Sequence, residues 1–470
     1  MSQYIPLYEL AKKREANTIV AYFDEKIIYW EEFSYHISLV MKYLGKKESW
    51  VLVCDDSYWF SVGFFAILHS NKKIILPANG LPKTLTALPE KDFGLITDCQ
   101  NLESFYTVHI PSIINKKTNL LCDATNQIVF EALEPDTVCI EIFTSGTTGD
   151  PKKILKNINN LSSEIEGLEF LWGKIVDKCI TLATVSHQHI YGLLFRLLWP
   201  LCSGRAIVNL QFEYPETLLA YVQRLNDLGL SSLLVSSPAH LKRMIQLINI
   251  STLKPGVKKI FSSGGPLSWQ TALYFRQEFE QAPIEVFGST ETGGVAYRQQ
   301  IKELQRWVTF DNVNIHLRDI DSALLVKSPY LLDDDWFVMG DRIELFDDKT
   351  FLLNGRIDRI VKIEEKRLSL SEMELRLKKH VWIDDVKLLV LTGSRDQLVG
   401  VIILSKEGQL AFKKSGRRIM ALKLRELLSA YYEKIILPRK WRYVSDFPRD
   451  SLGKVTQEKL KCLFNKKEIS

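Results

Sequence analysis

Residues Ile142 to Lys153 read I-F-T-S-G-T-T-G-D-P-K-K, and the reading of the whole chain turns on them. The apolar, β-branched run from Val138 to Phe143 has the character of a buried strand. The character then changes abruptly: Thr144 and Ser145, then Gly146 and Gly149 bracketing Thr147 and Thr148, with Lys152 behind. Glycines let backbone N–H groups approach oxygen atoms, hydroxyls add donors and a lysine adds charge, which together suit a polyphosphate. A plain surface turn has the same composition. A P-loop would need G-x-x-x-x-G-K-[ST], whereas Gly149 is followed by Asp150 and Pro151. The residue before a proline avoids the α region, so a phosphate-gripping loop fits better than a loop that opens a helix.

Outward from this stretch the pattern alternates. Before it, Trp30–Leu44 has helical spacing, and Trp50–Cys54, Ser57–His69 and Lys73–Pro77 read as strand, helix and strand, with a further strand at Phe93–Thr97. After it, strands are expected at Ile180–Val185, Ala206–Leu210, Ser232–Val235, Lys259–Ser262 and Ile284–Phe287. Helices are expected at Gly192–Cys202, Pro215–Leu228, Pro238–Leu247 and Ser268–Phe279. Such alternation calls for a parallel sheet covered on both faces, with ligands beyond the carboxyl ends of its strands. Residues 306–355 change to short strands with Asp-Asp turns, as in a small β subdomain. From Arg359 a compact α+β stretch follows, with a helix at Ser371–Lys379, strands at Val386–Leu391 and Leu398–Leu404, and a helix from Arg418 to Lys434. The fold class is therefore α/β: a large N-terminal domain with parallel sheets plus a small β subdomain, then a small α+β C-terminal domain.

Composition bounds the compartment and the partners. A chain of 470 residues with 46% hydrophobic and 25% charged residues has material for more than one core. Seven dispersed cysteines without C-x-x-C spacing argue against disulfides or a zinc site and for a reducing compartment. The N-terminus has no apolar core of a secretory signal, and the longest apolar run, Tyr58–Leu68, is about half a membrane span. A cytoplasmic protein without a membrane span is expected. The net charge of +5 hides a split: residues 359–470 hold 26 Lys/Arg against 14 Asp/Glu, a net of +12, and the remainder carries −7. A basic region can be a solvated face, or it can meet nucleic acid, an acidic carrier protein or the phosphates of coenzyme A. No nucleic-acid-binding module is recognisable, so nucleic acid is not an expected partner.

The T-S-G-T-T-G-x-P-K loop resembles the signature of the adenylate-forming superfamily of acyl-CoA synthetases, luciferases and peptide-synthetase adenylation domains. Further motifs follow in the superfamily's order over about residues 20–460. In V-F-G-S-T-E-T-G-G, a strand-end carboxylate suits magnesium, which takes one or two carboxylates plus phosphate oxygens. The resemblance implies that Phe287, Gly288 and Ser289 line the adenine and acyl pocket, that Thr290 contacts the α-phosphate and that Glu291 holds the metal. It likewise implies that Thr144, Ser145, Gly146, Thr147, Thr148, Gly149 and Lys152 bind phosphate. Gly264 and Gly265, in S-S-G-G-P-L, are implied to lie against adenine. Asp341, in M-G-D-R, and Arg356, in N-G-R-I-D-R, are implied to bind ribose; a structural ion pair is the competing reading of those two. His189, Tyr191 and Gly192, in S-H-Q-H-I-Y-G, match an acyl-pocket motif, while His187 reads as hydrogen-bonded structure.

Asp358 matches the superfamily's hinge, which sets the domains at 1–357 and 358–470. Lys362 matches a lysine of the second half-reaction, and Lys454, in F-P-R-D-S-L-G-K-V, matches the catalytic lysine. The resemblance thus implies an ATP- and Mg2+-dependent ligase that forms an acyl-AMP and passes the acyl group to a phosphopantetheine thiol. The wording of S-H-Q-H-I-Y-G-L-L-F-R-L-L-W-P-L also resembles stand-alone ligases of aryl-polyene and related polyketide or fatty-acid clusters, whose acceptor is an acyl carrier protein. An ordinary acyl-CoA synthetase using free coenzyme A is the alternative, and a catalytically silent nucleotide-binding protein is the alternative of a different class. Glu365, where the superfamily has glycine, is a departure that adds bulk and charge beside the path of a pantetheine arm.

Overall fold

A computed structural model of the protein describes residues 4–23, 26–100, 105–118, 129–144, 152–347, 349–363, 366–391, 396–429, 431–432, 434–449 and 455–465. The strands that position the site are, in chain order, β1 (Val138–Thr144), β2 (Lys152–Asn157), β3 (Ile180–Ala183), β4 (Ser232–Ser236), β5 (Val257–Ser262), β6 (Ile284–Ser289), β7 (Gly293–Gln299), β8 (Phe337–Leu345) and β9 (Thr350–Arg356). Two helices matter most, α1 (Ile158–Val176) and α2 (Pro238–Leu247).

Among the described residues two large sheets pack through one continuous apolar core. The first runs Thr107–His109, Phe93–Thr97, Ser49–Val53, Lys73–Leu76, β1, β2, and is parallel except for its last pair, which is antiparallel. Its central strands read S-W-V-L-V and F-G-L-I-T and are buried throughout, as expected of parallel strands covered on both faces. The helix that covers them, Ser57–His69, starts where Asp56 accepts the N–H groups of Tyr58 and Trp59. The second sheet has a parallel centre in which β3, β4, β5 and β6 lie side by side. Beyond β6 it turns antiparallel through β7, Trp307–Thr309, β9 and β8. The small β region expected over 306–355 is therefore present, and it extends the edge of the large sheet.

The C-terminal stretch builds its own core around Met373, Leu388, Ile402, Met420, Leu424 and Trp441. A three-stranded sheet (Ile383–Leu391, Gln397–Leu404, Lys440–Val444) carries helices Leu370–Lys378 and Lys406–Ser429. The latter begins earlier than the apolar spacing predicts, and it breaks at Gly416, whose φ of 74° no helix interior can hold. No helix among the described residues is long and apolar enough to cross a membrane.

Candidate active site

The site is assembled at the carboxyl ends of β1 and β6. β1 ends at Thr144 and β2 returns antiparallel beside it, with Thr144 opposite Lys152. Lys152 thus continues as strand rather than helix, which agrees with the proline argument. Ser145, Gly146, Thr147, Thr148 and Gly149 lie outside the described residues. Lys152 Nζ meets Glu291 Oε1 at 2.6 Å, so a residue expected to bind phosphate and one expected to hold the metal touch across 139 positions of sequence.

Glu291 stands at the tip of the β6–β7 hairpin. Ser289 and Thr292 close that tip: the Ser289 N–H donates to Thr292 Oγ1 at 3.1 Å and the Thr292 N–H to Ser289 Oγ at 3.2 Å. Gly288 is forced by packing, because a Cβ there would stand 2.0 Å from the Gly293 carbonyl oxygen. Burial pushes the Glu291 carboxyl up, but hydrogen bonds from Lys152, from its own backbone and from Ser289, with the lysine charge, leave it below the usual range. It is therefore ionised at neutral pH. Among the described residues no three His, Cys, Asp or Glu cluster as a metal cage. One ionised carboxylate beside Lys152 is a donor that suits Mg2+, which takes one or two carboxylates and completes its shell with phosphate and water oxygens.

The S-S-G-G-P-L turn after β5 is anchored from below. Glu285 of β6 accepts the Leu267 N–H at 3.2 Å and is held by Arg298 at 2.8 Å, while Gln300 donates to the Leu267 carbonyl at 3.1 Å. Gly264 has φ 86°, and a Cβ at either Gly264 or Gly265 would meet nothing within 4 Å. These glycines therefore expose bare backbone to open space, as a flat ligand requires. Phe287 packs against Trp307 and Phe351 with ring centroids 5.6 and 6.0 Å away.

Asp341 and Arg356 are cross-strand partners on β8 and β9, with Arg356 Nη1 3.5 Å from Asp341 Oδ2. The competing ion-pair reading is thus present in the structure, though at the outer limit of a hydrogen bond. β9 lies three strand spacings from β6, roughly 14 Å, so this pair and Glu291 can hold opposite ends of one ligand but not one atom.

On the acyl side, His189 precedes the short helical turn Ile190–Gly192. Gly192 is again a packing glycine, since a Cβ there would lie 2.0 Å from the Ser186 carbonyl oxygen. The half-buried Tyr191 ring lies tilted against Phe195 with centroids 4.8 Å apart, and desolvation pushes its hydroxyl up. His187 meets the Cys54 carbonyl at 2.8 Å, the structural role read from sequence. The helix expected over Gly192–Cys202 widens to a π-helix at Leu193–Leu198. Inside it Arg196 is fully buried and donates to the carbonyls of Val185 at 3.1 Å and Asn209 at 3.0 Å.

Sequence reasoning missed three neighbours. His240 of α2 contacts Thr184 Oγ1 at 2.9 Å, and Thr184 contacts Ser236 at 2.8 Å, a polar patch at the ends of β3 and β4. Burial lowers the His240 pKa first, then the charges of Arg243 and Arg449. Lys156 and Glu164, from β2 and α1, are buried beneath the Glu291 hairpin, and burial pushes the lysine down and the glutamate up. Lys156 shares the buried face of β2 with Ile154, two positions away, where alternation leads one to expect an apolar residue, and that mismatch hid it.

Asp358 lies in the short turn Ile357–Arg359 and Lys362 in the strand Ile360–Ile363, each placed by its backbone. Lys454 and Glu365 lie outside the described residues.

A family model described as "AMP-binding enzyme" matches residues 45–327. The chain is 24% identical over 348 residues to a putative long chain fatty acid-CoA ligase, VraA, of Staphylococcus aureus strain MRSA252, covering 70% of this chain and 71% of the relative. It is 21% identical over 493 residues to the D-alanine–D-alanyl carrier protein ligase of Lactococcus lactis strain IL1403, covering 97% of each. Its fold is similar to O-succinylbenzoate coenzyme A synthetase (MenE) of Bacillus subtilis in complex with ATP and magnesium, with TM-score 0.78, 16% identity, and 98% and 100% of the two chains covered. ATP-bound MatB of Rhodopseudomonas palustris is similar to the same degree, with TM-score 0.78, 16% identity, and 98% and 99% covered.

Proposed function

The chain belongs to the AMP-binding enzyme family, and we propose that it loads a carboxylic acid onto the phosphopantetheine thiol of an acidic acyl carrier protein. It is an ATP-dependent, AMP-forming acid–thiol ligase. The observation that carries the adenylation half is the ionised Glu291 held against Lys152 at the mouth of the β1–β2 hairpin.

In this reading a carboxylate oxygen of the acid attacks the α-phosphorus of ATP and pyrophosphate leaves. Lys152 and the donors of 144–149 hold the phosphates, and Thr290 donates to the α-phosphate. Glu291 would hold Mg2+, which would supply charge neutralisation to the phosphates there. Gly264, Gly265 and Phe287–Ser289 frame the purine, Asp341 and Arg356 take the ribose, and His189, Tyr191 and Gly192 wall the acyl group. Lys454 meets the negative charge that develops on the reacting oxygens; donors so aimed contribute about 3–4 kcal/mol each. The thiolate sulfur then attacks the acyl carbon and AMP leaves, with Lys362 serving this step.

Between the two steps the C-terminal domain, 358–470, turns about Asp358 relative to 1–357. Three bonds support that boundary. Arg356 is tied to Asp341 of the large sheet, whereas Arg359 donates to Glu374 at 2.5 Å and to the Leu388 carbonyl at 2.8 Å in the C-terminal unit.

A carrier acceptor is supported by the +12 charge of residues 359–470, which would steer an acidic partner. The full-length likeness to a D-alanyl carrier protein ligase points the same way. The test is transfer from pre-formed acyl-adenylate to a phosphopantetheinylated carrier and to coenzyme A, each at low and high salt. Faster, salt-weakened transfer to the carrier is expected. Salt-insensitive transfer to coenzyme A with none to any carrier would make the protein an acyl-CoA synthetase.

A further inference from the structure

We propose that Lys156 is a positioning residue that sets where the Glu291 carboxylate stands, by holding the Glu291 backbone from beneath while Lys152 engages its side chain at the surface. The proposal rests on the reading of Glu291 as the carboxylate that meets Mg2+·ATP. Lys156 is 1% exposed, and its ammonium donates to two carbonyls, Glu291 O at 2.7 Å and Tyr330 O at 2.6 Å. Asn160 donates to the carbonyls on either side of Tyr330, Pro329 at 3.0 Å and Leu331 at 2.7 Å, so the turn that shares Lys156 is itself pinned.

The counter-charge has a separate task. Glu164 accepts the Gly294 N–H at 2.6 Å, and its other oxygen occupies the space where a Cβ of Gly293 would stand, 2.4 Å from it. The hairpin tip is thus gripped twice from below, at the carbonyl of residue 291 by a cation and at the N–H of residue 294 by an anion. Loop tips are ordinarily the freest part of a chain. Here the freedom of Thr290 and Glu291 is confined between the two grips and the Ser289–Thr292 closure.

Both grips come from the segment directly after the phosphate loop. Lys152 and Lys156 sit on one face of β2, four residues apart, and reach the side chain and the backbone of the same glutamate. The strand that ends the phosphate loop therefore also fixes the metal-side carboxylate. Stability alone does not account for the arrangement, because neutral donors satisfy carbonyls without the cost of burying an ammonium, and apolar replacements of buried ion pairs are often neutral. Groups that orient a metal-side ligand typically change metal affinity by about 10–100-fold when removed.

The experiment measures ATP binding to the full-length protein by calorimetry, once in EDTA and once at saturating MgCl2, and takes the ratio of the two affinities as the magnesium coupling. Variants are Lys156→Met, Lys156→Met/Glu164→Gln and Glu291→Gln, each with its melting temperature. Lys156→Met and Glu291→Gln are expected to lower the coupling by about 10–100-fold while affinity in EDTA is kept. The double variant, which removes both buried charges together, leaves no uncompensated buried charge, so it is expected to melt above Lys156→Met and still lose the coupling, and a poorly folded single variant does not block the test. If folded Lys156 variants keep the coupling while Glu291→Gln loses it, the proposal falls alone. If Glu291→Gln also keeps it, the metal reading of Glu291 falls first. An equal loss of ATP affinity with and without magnesium marks a collapsed loop and overturns the positioning role too.

Discussion

Replacing Gly265 by alanine separates the binding surface from the scaffold. Gly264 needs glycine for its backbone, at φ 86°, but Gly265 has no positive φ and its Cβ would meet nothing within 4 Å. The fold therefore has no use for a missing side chain at 265, and alanine there reduces unfolded-state freedom, worth about 0.4–1 kcal/mol of stability. In a large domain that raises the melting temperature by about 1–4 °C. A purine lying on this backbone would instead meet a methyl group in its contact layer. Forced overpacking costs about 1–3 kcal/mol, or roughly 5–150-fold in ATP affinity. Calorimetric ATP titration and thermal melting read the two effects apart. Gly288→Ala is the contrast: its Cβ would stand 2.0 Å from the Gly293 carbonyl, so melting should fall with or without ATP. Wild-type ATP affinity in Gly265→Ala, or a lowered melting temperature, would refute the assignment of this turn to the purine.

Lys454→Ala should abolish acyl-AMP formation, read as pyrophosphate release over a panel of acids, while ATP binding persists; a wild-type rate would remove Lys454 from the chemistry. Burial lowers the pKa of both His36 and His69 to about 4, below the roughly 6.5 of an unfolded histidine. The unfolded state then binds more protons between those values, so this contribution is fully present above pH 6.5 and is lost as pH falls toward 4, by up to about 3 kcal/mol per histidine. Urea midpoints measured from pH 7.5 down to 5 should fall, less steeply in His69→Phe, and a flat profile would contradict the burial argument.

How far the sequence carries the fold depends on whether local pattern and tertiary demand agree. The helices Ser57–His69 and Pro238–Leu247 stand where spacing and start signals place them, because Asp56 and Ser237 cap them and a proline opens the second. Phe93–Thr97 is a strand apolar up to its last residue and is buried throughout. The segment 152–176 was opaque for the opposite reason. β2 buries Lys156 on the face where alternation leads one to expect an apolar residue, so its period is broken by the residue that matters most. The π-helix is equally hidden, because apolar periodicity does not distinguish it from an α-helix, and Arg196 sits within it satisfied by carbonyls distant in sequence. Of the candidate site, the glycines and Glu291 were legible from local motifs. What each glycine is for was not: Gly192 and Gly288 are required by backbone packing, while Gly265 alone of the three faces open space.

The two lysines of β2 have opposite energetics, and their division follows from exposure. The Lys152–Glu291 pair is partly solvated, with side chains 56% and 23% exposed, so it is worth no more than about 1 kcal/mol. On the proposed reading, an incoming polyphosphate would offer Lys152 a second anion and bring Glu291 a cation, so ATP entry would exchange partners without leaving either charge bare. A weak outer pair can make that exchange quickly. The inner contact cannot: Lys156 is shielded from water, held by the Glu291 and Tyr330 carbonyls and attracted through space by the buried Glu164, and removing either charge leaves the other buried, which typically costs several kcal/mol. On that reading the outer bond is the one that would open when nucleotide arrives, while the Lys156 bond to the Glu291 carbonyl would keep the backbone in place. On this argument salt should loosen the Lys152–Glu291 contact and leave the geometry set by Lys156 unchanged.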